Sequence, residues 1–379
     1  MKLLLTGANG QLGLSIRRCI ADHNAFLAKN NGNYSRIISR ALNRENNRES
    51  HCKINTDLSS QCMPNELQLL TADKSDLEIS DANAVMEMID RLKPDLIINC
   101  AAYTQVDQAE THQQLAGDVN ATGAKNLALA ALKASIPLIH ISTDYVFDGK
   151  SGRLPSQVAS SALPVDEPKL AGGLEATFAT ASNTAIETAI ENSPSPYSET
   201  AVPNPLNIYG ESKWRGEQLI TDILPQHIII RTSWLISEFG HNFAKTVLRL
   251  AKTKPTLAMV ADQIGCPTYA GDLAKAILNI AAQIQQGKTV WGTFHYCGDT
   301  ATSWYGLAKA IVDEASVQAK LLTVPTLKGI DTQDYPLPAK RPPYSVLDCQ
   351  QIKMAWGIDA CDWQVSIKTL IRNLDIDVL

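Results

Sequence analysis

Short apolar runs that stop at glycine or at a polar cluster recur along this chain, separated by stretches of helical spacing. Residues 2–6, Lys-Leu-Leu-Leu-Thr, end at Gly7-Ala-Asn-Gly10-Gln-Leu-Gly13, after which Leu14, Ile16 and Ile20 return at roughly helical intervals. This is the pattern of strand, glycine turn and helix. Further strands are predicted at 35–42, 66–72, 94–103, 137–147, 227–236 and 292–298. The run at 94–103 is almost continuously apolar, as in a strand buried on both faces of a parallel sheet. Helices are predicted after Asp76–Asp81 with Ser80 as cap, from about 115 to 134, at 242–252, at 271–283, and at 304–315 with Ser303 as cap. The run at 137–147 turns polar at Ser142-Thr143-Asp144, and that at 227–236 at Arg231, Thr232, Ser233 and then Trp234. Ligands of open α/β sheets bind at the carboxyl ends of strands, where these clusters fall.

The pattern predicts an α/β fold: a Rossmann-like, doubly wound parallel sheet with a smaller α/β C-terminal substrate domain. The first unit takes residues 1–235 and 262–300, the second 236–261 and 301–379. Two stretches break the alternation. Residues 43–65 look like an irregular insertion. The tract 151–194 is rich in Ala, Ser, Thr, Pro and Glu, and Phe178 is its one aromatic. It buries too little to fold unaided and reads as a mobile surface insertion, with a short helix near 183–191, rooted where it could act as a lid.

Composition narrows the function. A chain of 379 residues, 45% hydrophobic, buries a substantial core, and a net charge of −5 argues against nucleic acid or an anionic membrane as partner. A small molecule fits better. No run approaches the ~18 apolar residues of a membrane span, and the N-terminus lacks a signal-type apolar stretch. The eight cysteines contain no C-x-x-C pair and read as reduced thiols of a cytoplasmic protein. The seven histidines lack ligand spacing, so no protein-built metal site is expected. His140, inside an apolar run, reads as a satisfied core histidine.

Candidate chemistry lies in three places. Glycines 7, 10 and 13 allow a tight turn and close approach of a pyrophosphate to a helix N-terminus. The strand at 35–42 carries no acid for a ribose 2′-hydroxyl; Arg40, with Arg44 behind it, suits a 2′-phosphate instead, the alternative being solvated arginines. Small Ala101 and Ala102 admit a flat cofactor. In Asn207-Ile-Tyr-Gly-Glu-Ser-Lys213, Tyr209 and Lys213 share one helix face, and Lys213 is placed to favour phenolate. The loop 335–343, with Lys340-Arg341, either faces an anionic ligand or is plainly exposed.

These motifs, together with Ala101-Ala-Tyr-Thr-Gln-Val-Asp-Gln-Ala-Glu110, Ser142-Thr-Asp-Tyr-Val-Phe-Asp-Gly149, Arg231-Thr-Ser-Trp234, Asp262-Gln-Ile-Gly-Cys-Pro-Thr268 and Arg341-Pro342, resemble the dTDP-4-dehydrorhamnose reductases, a family of extended short-chain dehydrogenases. The resemblance implies reduction of dTDP-4-dehydro-L-rhamnose at C4 by NADPH or NADH, giving dTDP-L-rhamnose for cell-surface polysaccharide. It implies Tyr209 as the acid, Lys213 as its partner and ribose ligand, and Thr143 as the third hydroxyl. Asp144 and Trp234 would contact the sugar. Gly7, Gly10, Gln11, Leu12 and Gly13 would hold the pyrophosphate, Glu78 and Ile79 the adenine, and Ala101, Ala102 and Tyr103 the middle of the dinucleotide. Ser15 stands where some members carry a Mg²⁺-binding glutamate at a dimer interface, which counts against a metal-bridged homodimer. A related sugar-nucleotide epimerase, or a non-catalytic NADP-binding subunit like the β subunit of methionine adenosyltransferase, is the competing reading.

Overall fold

Leu3, Leu4 and Leu5 point alternately to opposite sides of one strand, and all three are fully buried, so helices must cover both faces. The computed structural model describes residues 1–30, 67–150, 194–321 and 323–375. The expected strand at 35–42, Arg40, Arg44, the stretch 43–65 and the tract 151–193 lie outside the described residues.

The strands are β1 (Lys2–Thr6), β2 (Gln68–Ala72), β3 (Leu96–Asn99), β4 (Leu138–Thr143), β5 (His227–Thr232), β6 (Leu235–Ile236), β7 (Thr256–Val260), β8 (Ile264–Gly265), β9 (Thr268–Tyr269), β10 (Gly292–His295), β11 (Thr302–Ser303) and β12 (Thr326–Ile330). Six of them form one parallel sheet in the order β10-β5-β4-β3-β1-β2. From β1 the strand order runs one way to β2 and the other way through β3, so a crevice opens at the carboxyl ends of β1 and β3.

One face packs Leu3, Leu5, Ile98, Ile139, Ile228 and Ile230 against helices Gln11–Asn30 and Ala270–Gln285. The other packs Leu4, Ile97, Leu138 and Ile229 against helices Ala82–Leu92, Ala124–Ala134 and Ile208–Ile223. A separate apolar cluster, including Leu248, Leu307, Ile311, Ile367 and Leu370, joins helices Phe243–Ala251, Trp304–Val317 and Trp363–Asn373 beside the parallel pair β7–β12. Each fully buried Leu or Ile contributes roughly 1.5–3 kcal/mol of transfer free energy, so these clusters carry the architecture.

Two local expectations change. The helix after Asp81 is capped by Asp81, whose carboxylate accepts from the Asn83 and Ala84 amides; Ser80 instead donates to Glu78 Oε1. The predicted helix at 115–134 is interrupted by a π-helical turn, Asp118–Gly123, between Gln113–Gly117 and Ala124–Ala134. Helix Ile208–Ile223 passes so near that a Cβ at Gly216 would overlap Asn120 O. The Asn120 side chain turns inward and joins Tyr103 to the Ser212 hydroxyl.

Candidate active site

Asn207 begins the helix that carries Tyr209 and Lys213: its side-chain oxygen accepts from the Gly210 amide at 2.8 Å, and its own amide reaches Lys340 O at 2.7 Å. Gly210 has no side chain because Tyr145 O occupies that space. Further along, Glu217 and Arg231 form an ion pair with both side chains almost fully buried. Arg231 Nη2 lies 2.7 Å from Glu217 Oε2, and Ser142 donates to Oε1. One buried carboxylate thus ties the helix to the ends of β4 and β5.

Tyr209 and Lys213 both line a cavity of about 840 Å³, as do Thr143, Asp144, Gly10, Gln11, Leu12, Ala102 and Trp234. That volume is within the ~300–1,000 Å³ typical of small-ligand sites. The electrostatics differ from the expectation of a lysine-stabilised phenolate. Lys213 Nζ is turned to Ile141 O at 2.5 Å and His140 Nε2 at 3.2 Å. Burial lifts the Tyr209 hydroxyl to about 12; the Thr143 hydroxyl pulls it back, while Asp144 pushes the same way as burial. Burial lowers Lys213 to about 8 against the opposing influence of Glu217 and Cys100. Tyr209 is therefore a firmly protonated donor at neutral pH, and of the two Lys213 parts with a proton more readily.

Thr143 ends β4, donating to Asp144 Oδ1 at 3.1 Å and accepting from the Tyr145 amide at 3.2 Å. Burial drives the Asp144 carboxyl up to about 7, with the Ser345 and Thr143 hydroxyls acting in opposition. Among the described residues its Oδ2 is buried without a hydrogen-bond partner, and so is Gln11 Oε1. Both belong to residues that line the cavity, which leaves them open to a ligand there.

The glycine turn fits a dinucleotide. Gly7 has φ +66°, and a Cβ there would come within 2.5 Å of Ala101 N, so glycine alone lets β1 and β3 close at the crevice. Gly10 lines the cavity where helix Gln11–Asn30 begins, and exposed amides there favour an anion. Gly7 and Gly13 lie beneath the turn, a Cβ on Gly13 being excluded by Gly7 O. Ala101 donates its amide to Asn99 Oδ1, and Tyr103 its amide to Asn120. Glu78 bonds Ser80, while Ile79 is buried in the core, leaving any ligand contact at that position to its backbone. Ser15 is buried and its hydroxyl donates to Gln11 O.

Trp234 sits at φ +46°, a left-handed conformation that costs a non-glycine residue about 1–2 kcal/mol. Its indole stacks on Trp304 at 3.6 Å between ring centroids and 6° between planes, and Gly265 packs against it. One face is therefore covered, and only the remainder can meet a sugar. Arg341 does not offer a free cation. It grips Asp107 through both carboxylate oxygens at 2.5 and 2.6 Å and also bonds Ala339 O, joining the 335–343 loop to the cavity rim. Gly240 and His241 also line the cavity and escaped the sequence reading. The one available signal was Gly240, whose φ of +61° makes the turn that brings His241 O to Gln11 Nε2.

Comparison with known proteins agrees with this geometry. A family model described as the RmlD substrate binding domain matches residues 50–167 and 181–376. A dTDP-4-dehydrorhamnose reductase of Aggregatibacter actinomycetemcomitans is 38% identical over 371 residues, covering 97% of this chain and 98% of that protein. The crystal structure of a dTDP-4-dehydrorhamnose reductase from Clostridium acetobutylicum superposes with a TM-score of 0.70 at 29% identity, covering 98% of this chain and 99% of that one. A Bacillus anthracis dTDP-4-dehydrorhamnose reductase, solved in complex with NADP, gives 0.69 at 27% identity, with 98% of each chain covered. With its glycine turn, its Thr143–Tyr209–Lys213 cavity and these full-length matches, the chain belongs to the RmlD family of dTDP-4-dehydrorhamnose reductases.

Proposed function

We propose that the chain reduces the C4 carbonyl of dTDP-4-dehydro-L-rhamnose to dTDP-L-rhamnose with NADPH as donor, NADH being the alternative. The observation that carries this reading is the convergence of Thr143, Tyr209 and Lys213 on one cavity with Gly10, Gln11 and Leu12. NADPH, when bound, supplies the hydride. Gly10, Gln11 and Leu12 hold its pyrophosphate at the helix N-terminus, and Ala101 and Ala102 face its middle.

The remaining work falls to side chains. Hydride addition leaves an alkoxide on O4, roughly as basic as hydroxide and far more basic than a phenolate. A phenol near 12 transfers its proton downhill to such an oxygen, so Tyr209 is an effective acid even with a raised pKa. The Thr143 hydroxyl holds the same oxygen as charge develops. Lys213 replaces the proton that Tyr209 loses. Asp144 and the uncovered part of Trp234 orient the sugar.

Residues 1–235 with 262–300 act as the cofactor unit, and 236–261 with 301–379 as the substrate unit; the apolar cluster around Leu307 and Ile367 fits that division, whereas Ile352, Trp356, Ile358 and Cys361 pack into the core of the cofactor unit. We read the enzyme as cytoplasmic and any pairing of two copies as independent of a metal. Among the described residues no helix is long and apolar enough to cross a membrane.

The test is NADPH oxidation followed at 340 nm with dTDP-4-dehydro-L-rhamnose, with the product identified. Stoichiometric formation of dTDP-L-rhamnose is expected. NADPH binding without oxidation would reject the reductase reading in favour of a regulatory subunit.

A further inference from the structure

His140 is buried and donates no obvious chemistry, yet its two ring nitrogens are both engaged. The Ala101 backbone N–H can only donate, and it donates to Asn99 Oδ1 at 3.0 Å, where Thr6 Oγ1 also lies at 2.7 Å. That contact fixes which way the Asn99 amide faces. Asn99 Nδ2 is therefore the atom 2.9 Å from His140 Nδ1, and it must donate. A neutral imidazole that accepts at Nδ1 carries its proton on Nε2. Burial alone, the larger cause, keeps His140 well below its ordinary pKa whether or not Lys213 is charged, hence neutral.

The Nε2–H then points at Lys213 Nζ, 3.2 Å away. An ammonium has three donors and no lone pair, whereas an amine can donate to Ile141 O and accept from Nε2–H. We infer that His140 is a positioning residue for Lys213, locked by Asn99 as the Nε2–H tautomer so that it aims a donor at Nζ and favours the amine form. Glu217 and Cys100 act the other way, and Glu217 is already committed to Arg231. The inference rests on the reductase reading for its consequence. Tyr209 gives its O–H proton to O4, the ammonium form of Lys213 passes an N–H proton to the phenolate, His140 Nε2–H stabilises the amine so formed by donating to its lone pair, and solvent returns Lys213 to the ammonium.

The tautomer is measured on wild-type protein labelled with ¹⁵N-histidine, with His140→Gln for assignment. An accepting Nδ1 and protonated Nε2 are expected. A protonated Nδ1 overturns the inference. The second measurement is the Lys213 Nζ titration by ¹⁵N-lysine NMR in wild type and His140→Leu. Loss of a donor aimed at the amine raises the Lys213 pKa by about one unit, a tenfold gain in proton affinity. If His140 merely accepted from the ammonium, the same variant would lower it. Neither measurement needs turnover, so failure of the reductase reading and failure of this inference are separable.

Discussion

The cavity has two unlike walls. On the Tyr209 side, side chains are fixed by buried polar contacts: Glu217 with Arg231 and Ser142, Lys213 with Ile141 O and His140, and Asn120 with Tyr103 and Ser212. On the Trp234 side, the wall is made of two-residue strands and loops, held by the Trp234–Trp304 stack. The contrast separates two tasks. Proton transfer requires hydroxyls and an amine held in place, and buried networks supply that stiffness. Sugar recognition tolerates a softer surface of stacked rings and rim contacts.

The largest effect falls on the stiff wall. Tyr209→Phe should lower kcat by about 10²–10⁴ while leaving the melting temperature and NADPH binding little changed. A loss below tenfold would remove Tyr209 as the acid. Glu217→Ala leaves Arg231 charged and buried, so urea denaturation should show a stability loss of about 3–5 kcal/mol. A change below 1 kcal/mol would mean that the helix is held by packing alone.

Asp144, between the walls, gives a pH signature. Its folded pKa of about 7 is above the ordinary 3.8, so its contribution to stability is full below about pH 4 and disappears as pH rises through 7. Asp144→Asn should flatten that fall, on the order of 2–4 kcal/mol, in denaturation curves from pH 4 to 8. An identical slope in the variant would show that Asp144 titrates normally.

The smallest effect is expected on the soft wall. Trp304→Ala removes a stack worth about 0.5–1.5 kcal/mol and frees Trp234 to move, so the KM for the sugar nucleotide should rise up to about tenfold with kcat nearly unchanged. A large kcat loss instead would place both walls in the chemistry.

The same contrast explains what the sequence revealed. The glycine turn, Tyr209 with Lys213, and the polar ends of β4 and β5 are local patterns whose spacing states their geometry. Even the cap Ser303 follows from neighbours in sequence. Trp304 against Trp234, Arg341 against Asp107, and Asn99 against His140 join residues 70, 234 and 41 positions apart, and no local period announces them. His140 was legible as buried and satisfied, but its partner, Lys213, was not. Lys213 itself was legible as a site residue, while its turn toward Ile141 O was not, because that depends on how closely the helix approaches β4.

The most direct test follows a labelled hydrogen. NADPH deuterated at the transferring position of nicotinamide C4 is incubated with the enzyme and dTDP-4-dehydro-L-rhamnose, and the product is read by NMR. Deuterium at C4 of dTDP-L-rhamnose is expected, at a rate that falls in Tyr209→Phe. Unconsumed cofactor, or label at any other sugar carbon, would contradict the account.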